Sequence, residues 1–379
     1  MKNNRIGAII GNIHQFSDLG DLVAGRPLAT LPFAGKYRLI DFQLSAVANA
    51  GIMDIYSIYH TNQIQSVFDH IGSGREWGMD SLLHHYFLSV YEEDDNGIVA
   101  KDYIPKLINF LKRSKTAQTV YISSNMVANI DLNAVIQHHR RQGNKMTVGY
   151  KTFASEKMST TNTVLEIDGN ALVTGSHAFD LASASNVENM SLGLFVVETN
   201  WIIRELEKAI ENEENIVSAQ AWLNEQIGKV ETSAYEYQGF VSNIHDVKSY
   251  YDANMDILDR STFTTLFFSR NKVYTKVKNE APTYYADKSE VRNSQFASGC
   301  VIRGTVEDSI VSRNVLISEN SKIKGSMLMP KVEIGEGASV EYAILDKNVI
   351  VAAGVTIKGT KENPLVIKKD SVIKSDIID

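Results

Sequence analysis

A single period governs the C-terminal quarter of the chain. Ile317, Ile334 and Val351 follow Cys300 at steps of 17 residues. Ile323, Val340 and Ile357 follow Val306 at the same step, as do Leu328 and Leu345 after Val311. Within one period the apolar positions lie 5 or 6 residues apart, so three registers advance in phase. A turn of chain patterned this way cannot bury its own side chains. It buries them only against the next turn, which is the logic of a solenoid. Asn320, Gly337 and Gly354 recur at the same step and suit a corner of each coil. The pattern predicts a left-handed parallel β-helix of hexapeptide repeats over residues 291–379.

Residues 1–260 read differently. Strand-like and helix-like segments alternate, which implies an α/β, Rossmann-like, mostly parallel sheet covered by helices. Ile6–Ile10, Ile55–Tyr59 and Thr119–Ile122 read as strands. Asp41–Ala50 reads as a helix stopped by Gly51, and a second helix runs from Asp131 to Gly143. Asp246 is placed to cap a third, with an apolar face of Val247, Tyr250, Tyr251, Met255 and Leu258. Residues 261–290, with Pro282 and little helical period, read as a connection. On sheets of this kind ligands bind at the C-terminal ends of the strands.

Composition removes several functional classes. Hydrophobic residues make up 44% of the 379, enough for a large core. The net charge of -7 gives no footing for nucleic acid or an anionic membrane. No apolar run approaches the ~20 residues that span a bilayer, and the N-terminus lacks the apolar core of a secretory signal. A cytoplasmic protein is the expectation. One cysteine, Cys300, excludes an intramolecular disulfide and a cysteine-based zinc cluster. The last histidine, His245, precedes the repeats, which argues against an acyltransferase base on the β-helix.

The segment Leu-Pro-Phe-Ala-Gly-Lys-Tyr-Arg-Leu-Ile-Asp-Phe-Gln-Leu-Ser, residues 31–45, resembles the sugar-binding half of the N-terminal signature of ADP-glucose pyrophosphorylases (glucose-1-phosphate adenylyltransferases). Tyr250–Asp256 and Ala343–Val349 extend the resemblance along nearly the whole chain. It implies a nucleotidyltransferase domain followed by the β-helix. The positions that would carry chemistry depart from the family. Where the family has a Gly-rich phosphate loop with an Arg, Gly11 is followed by Asn12, Ile13 and His14. Arg26 stands where a Lys is expected, and Gly11 and Arg26 are candidate contacts for a phosphate. The family's two Mg²⁺-holding aspartates fall on Asn125 and Asn243, and no Lys lies near Ser176–Ala178, where the sugar-phosphate Lys would fall. Asp102, Ser191 and Gly193 do match substrate-contacting positions, while Lys36 and Arg38 are candidate contacts for a phosphate group. An amide keeps a carbonyl oxygen but not the charge that Mg²⁺ needs.

The resemblance therefore implies a regulatory, catalytically degenerate subunit with no metal of its own. Mg²⁺ would enter only through a catalytic ADP-glucose pyrophosphorylase partner, in a hetero-oligomer expected to be a tetramer and open to a phosphorylated sugar effector. Two other readings stay open: a weakly active adenylyltransferase, and a sensor that binds nucleotide or sugar phosphate without turnover.

Overall fold

Apolar strand-formers in Ile6–Ile10 (β1), Asp54–His60 (β2), His85–Tyr91 (β3) and Gln118–Ile122 (β4) build the parallel part of a nine-stranded sheet. The computed structural model describes residues 5–11, 13, 16–81, 84–93 and 103–379. The chain divides into two compact units, and the first holds Met1–Gln15, Ile40–Asn243 and Ser269–Tyr274. Its remaining strands are Met126–Val127 (β5), Met146–Ala154 (β6), Thr163–Ile167 (β7), Val173–Ala178 (β8), Val187–Glu198 (β9), Thr232–Glu236 (β10) and Ser242–Asn243 (β11). The strand order is β8-β7-β9-β4-β1-β2-β3, with β6 on β9, β10 on β6, and β5 paired to β11 as a separate ribbon.

The parallel pairings β3-β2-β1-β4 meet the expectation of a parallel sheet, whereas β9 runs antiparallel to β4, β6 and β7. The buried face carries Tyr56, Ile9, Tyr121 and Phe195 side by side under helices α3 (Tyr103–Ser114), α5 (Thr199–Glu211) and α6 (Ala219–Gln226). Helix α1 (Ile40–Asn49) ends before Gly51 at φ 66°, and α2 (Ile64–Ile71) follows β2. Helix α4 (Leu132–Gln142) starts where the Asp131 carboxylate accepts from the Ala134 amide at 3.2 Å, and stops at left-handed Gly143. Both helix ends follow from local chemistry.

The second unit holds Phe16–Leu39, Ile244–Phe268 and Thr275–Asp379. Contiguous domains at 1–260, 261–290 and 291–379 do not describe this division, because residues 16–39 and 244–268 cluster with the coils. Three parallel sheets of six, six and five short strands form the β-helix sides. The stacked ladders Val306-Ile323-Val340-Ile357 and Val311-Leu328-Leu345 are those of the sequence period. All seven side chains are 0–1% exposed.

The third register needs a correction. Ile302, not Cys300, pairs with Ile317, because the coil between them is two residues short of the period. Coils also begin earlier than residue 291, at Tyr284–Tyr285. The stretch read as a connection contains helix α8 (Arg260–Phe267), capped where Asp259 accepts from the Thr262 amide at 2.9 Å. Asn320, Gly337 and Gly354 adopt φ of 59°, 66° and 71°, as corners require.

Helix α7 (Val247–Met255) is capped by Asp246 in a capping box with Ser249. Its buried side chains are Tyr250, Tyr251, Ala253 and Asn254, whereas Val247, Met255 and Leu258 are only half-buried. The polar ends of that face bind the unit together. The Tyr250 hydroxyl donates to Pro32 O, Tyr251 to Gly325 O at 2.5 Å, and Asn254 Oδ1 accepts from the Ala34 amide at 3.0 Å.

Candidate functional site

Gly11 ends β1 with φ 121°, and a Cβ there would lie 2.7 Å from Ile58 O. Its carbonyl accepts from the Tyr121 hydroxyl at 2.7 Å. The glycine is thus required by the close approach of β1 to β2, before any ligand is considered. Burial raises the Tyr121 phenol's pKa, so it stays a neutral donor. Asn12, His14 and Asp102 lie outside the described residues.

Just beyond β4, the Ser123 amide donates to Gly193 O at 2.9 Å. Gly193 sits in a register shift of β9 with φ 58°, and a Cβ there would fall 2.6 Å from Ser123 Cβ. Its amide donates to Ser191 Oγ at 3.3 Å. Gly193, with Ser191 beside it, therefore lies against the C-terminal end of β4. Gln43, from α1, donates to the carbonyls of Ser123 and Met126 at 3.2 and 3.3 Å.

Three asparagines close the arrangement. Asn125 accepts from Ser123 Oγ through Oδ1 and donates through Nδ2 to Asn243 Oδ1 at 3.2 Å. Asn243 and Asn162 exchange two amide hydrogen bonds, at 2.8 and 3.3 Å, and Asn162 Oδ1 also accepts from the Ser159 amide at 2.8 Å. All three are 3–7% exposed. Asn162 was missed by sequence reasoning: no motif marks it, and it reaches Asn243 across 81 residues.

This set does not fit a divalent cation. Mg²⁺ in nucleotide sites takes carboxylate oxygens, and here the amide oxygens are already accepting bonds from neighbouring donors. Among the described residues no group of three or more His, Cys, Asp or Glu could hold a metal.

Arg26, Lys36 and Arg38 belong to the second unit. Arg26 is buried; its Nε donates to Leu22 O at 2.7 Å and its guanidinium pairs with the Asp346 carboxylate. It is a structural cation, at odds with a free phosphate contact. The Lys36 ammonium lies 4.9 Å over the Tyr37 ring, and partial burial followed by the Arg313 charge lowers its pKa. Arg38 pairs with Pro32 in a two-stranded hairpin. Lys347, next to Asp346, was not singled out by the sequence. Burial, then the charges of Arg38 and Arg26, push its pKa down to about 7. The Asp346 carboxylate beside it only partly offsets these effects.

Residues 19–260 match the nucleotidyl transferase family, and residues 281–364 match the GlmU-like C-terminal hexapeptide family. The chain belongs to the nucleotidyl transferase family. It is 29% identical to the glycogen biosynthesis protein GlgD of Bacillus subtilis (strain 168), and 30% identical to GlgD of Geobacillus stearothermophilus, in each case over 98% of both chains. It is 26% identical to the glucose-1-phosphate adenylyltransferase of Bacillus cereus (strain ATCC 14579) over 86% of this chain and 88% of that one. The resemblance to the ADP-glucose pyrophosphorylase family thus extends over most of the chain. No helix among the described residues is long and apolar enough to cross a membrane.

Proposed function

We propose that this chain is a catalytically degenerate, regulatory subunit of glucose-1-phosphate adenylyltransferase, acting in glycogen biosynthesis by tuning a catalytic paralogue. That enzyme joins ATP and glucose 1-phosphate to give ADP-glucose and pyrophosphate. The observation that carries the proposal is the Asn125–Asn243–Asn162 network. Phosphoryl transfer runs on positioned charge, with metal ions neutralising the oxygens of the transferred group. A strand end lined by neutral, mutually bonded amides supplies none of it. The burial of Arg26 against Asp346 points the same way.

The chain's own residues still offer structure to a partner's cycle. Mg²⁺ belongs to the catalytic partner, and the assembly is a hetero-oligomer, a tetramer in the simplest closed symmetry. A phosphorylated sugar effector would meet Lys36, Arg38 and Lys347 in the second unit. Its effect would reach the partner as a population shift, through contacts that favour the active conformation.

The test is ADP-glucose formation by this chain alone and mixed with its catalytic paralogue, at saturating ATP, glucose 1-phosphate and Mg²⁺. The proposal expects no turnover alone and altered kcat, KM or effector response in the mixture. Turnover alone at a rate comparable with the paralogue, or a mixture that behaves as the paralogue does, overturns it.

A further inference from the structure

Strand β3 is an edge of the large sheet: it pairs with β2 on one side, and among the described residues no strand pairs with the other. Its seven residues, His-Tyr-Phe-Leu-Ser-Val-Tyr, contain no Lys, Arg, Asp, Glu, Pro or Gly. Edge strands that must stay single are normally protected by charge, proline, a bulge or shortness. None of these devices is present, and the pairing with β2 is unbroken over all seven residues. Phe87 is 41% exposed on this strand.

We infer that β3 is a self-association edge, pairing antiparallel with β3 of a second copy of this chain about a two-fold axis at Leu88. The sequence is complementary to itself in that register. Leu88 faces Leu88, Tyr86 faces Val90 and Phe87 faces Ser89, so an aromatic–β-branched pair occurs twice and no like charges are opposed. The next positions out set His84 against Glu92 of the other copy, twice by symmetry, which places an imidazole opposite a carboxylate acceptor. A register slipped by one residue would turn the apolar set to the opposite face and lose both His–Glu pairs. The arrangement is isologous and closes as a dimer. It stands independently of the regulatory reading, since a dimer of this chain can form with or without a catalytic partner.

The chain's one cysteine, Cys300, is buried, so an introduced thiol gives a clean signal. In the inferred pairing the two Leu88 Cα atoms lie ~4.5–5.5 Å apart, within disulfide reach. Under mild oxidation of the full-length protein, L88C is expected to yield a disulfide-linked dimer, and S89C, facing Phe87, several-fold less. Sedimentation of the unmodified chain is expected to show a dimer, and F87K to shift it to monomer with its melting transition retained. A monomer at all concentrations tested, equal cross-linking by L88C and S89C, or a dimer that survives F87K unchanged overturns the inference.

Discussion

Asn162 and Asn243 face each other as a reciprocal amide pair, each donating its Nδ2 to the other's Oδ1, at 3.3 and 2.8 Å. The pair satisfies buried polar groups without any charge. Asn243 is one of the two positions on which the family resemblance places a metal-holding aspartate. Each oxygen that a metal would use is already an acceptor. A cation would therefore have to compete with these donors to bind, and would gain no opposite charge in return.

Replacing the amides by carboxylates tests this directly. In Asn125→Asp/Asn243→Asp two anions would be buried within hydrogen-bonding distance of each other. Without a cation the double variant should lose about 3–5 kcal/mol of stability, seen as a clear fall in Tm. Millimolar Mg²⁺ should recover part of that loss by binding the native state, and should leave the parent's Tm unmoved. Differential scanning calorimetry with and without Mg²⁺ reads both effects. A parent stabilised by Mg²⁺ to the same extent would show that the amide network already binds the ion.

The buried Arg26–Asp346 pair makes a second prediction. Its partners are 7% and 2% exposed, so removing one strands the other's charge inside the protein. Arg26→Met and Asp346→Leu should each cost about 3–5 kcal/mol, whereas the double replacement should cost markedly less than their sum. Urea unfolding of the four members of the cycle measures the coupling. Additive losses would mean that the two charges act separately, and would reopen Arg26 as a phosphate contact.

Which features the sequence revealed follows from how far apart the causes lie. The β-helix ladders were legible because each inward position repeats the same local requirement, as Val306, Ile323, Val340 and Ile357 show. Helix ends at Asp131, Gly143 and Asp246 were legible because caps act over three or four residues. The misplacement of Cys300 has a simple origin: a coil two residues short leaves a buried side chain out of register, and a fixed period counts straight past it. The first coil was hidden because Tyr284 and Tyr285 are exposed, 58% and 46%, and so carry no burial pattern. The fate of Arg26 was not readable, because its partner lies 320 residues on. Asn125 and Asn243 were marked by resemblance, but their third member, Asn162, comes from a segment with no motif.

Gly193 separates a structural glycine from a functional one. At φ 58°, with Ser123 Cβ only 2.6 Å from where its own Cβ would sit, it admits no side chain without moving the turn that follows β4. Gly193→Ala should cost about 2–4 kcal/mol and disturb Asn125 by displacing Ser123. Gly51→Ala, also at positive φ but with open space around it, should cost only about 1 kcal/mol. Comparing the two by chemical denaturation isolates the crowding at Ser123 from the backbone preference common to both. Equal losses would mean that the Ser123 contact relaxes freely.

Lys347 gives the pH prediction. Its native pKa of about 7 lies below its ordinary 10.5, set first by burial and then by Arg38 and Arg26. Between those values the unfolded chain holds a proton that the native protein does not. Stability from this group therefore rises as pH increases from about 7 to 10.5, and its penalty is complete below pH 7. Lys347→Met removes the buried charge. It should raise stability by roughly 1–3 kcal/mol at pH 6, with the gain shrinking to nothing as pH nears 10.5. A phosphorylated sugar that binds beside Arg38 would reverse the balance by supplying negative charge. Such a ligand should drive proton uptake at pH 8, measurable as a buffer-dependent heat in calorimetry, and Lys347→Met should abolish that uptake. A variant whose stability gain is the same at pH 6 and pH 10 would show that Lys347 is not the titrating group.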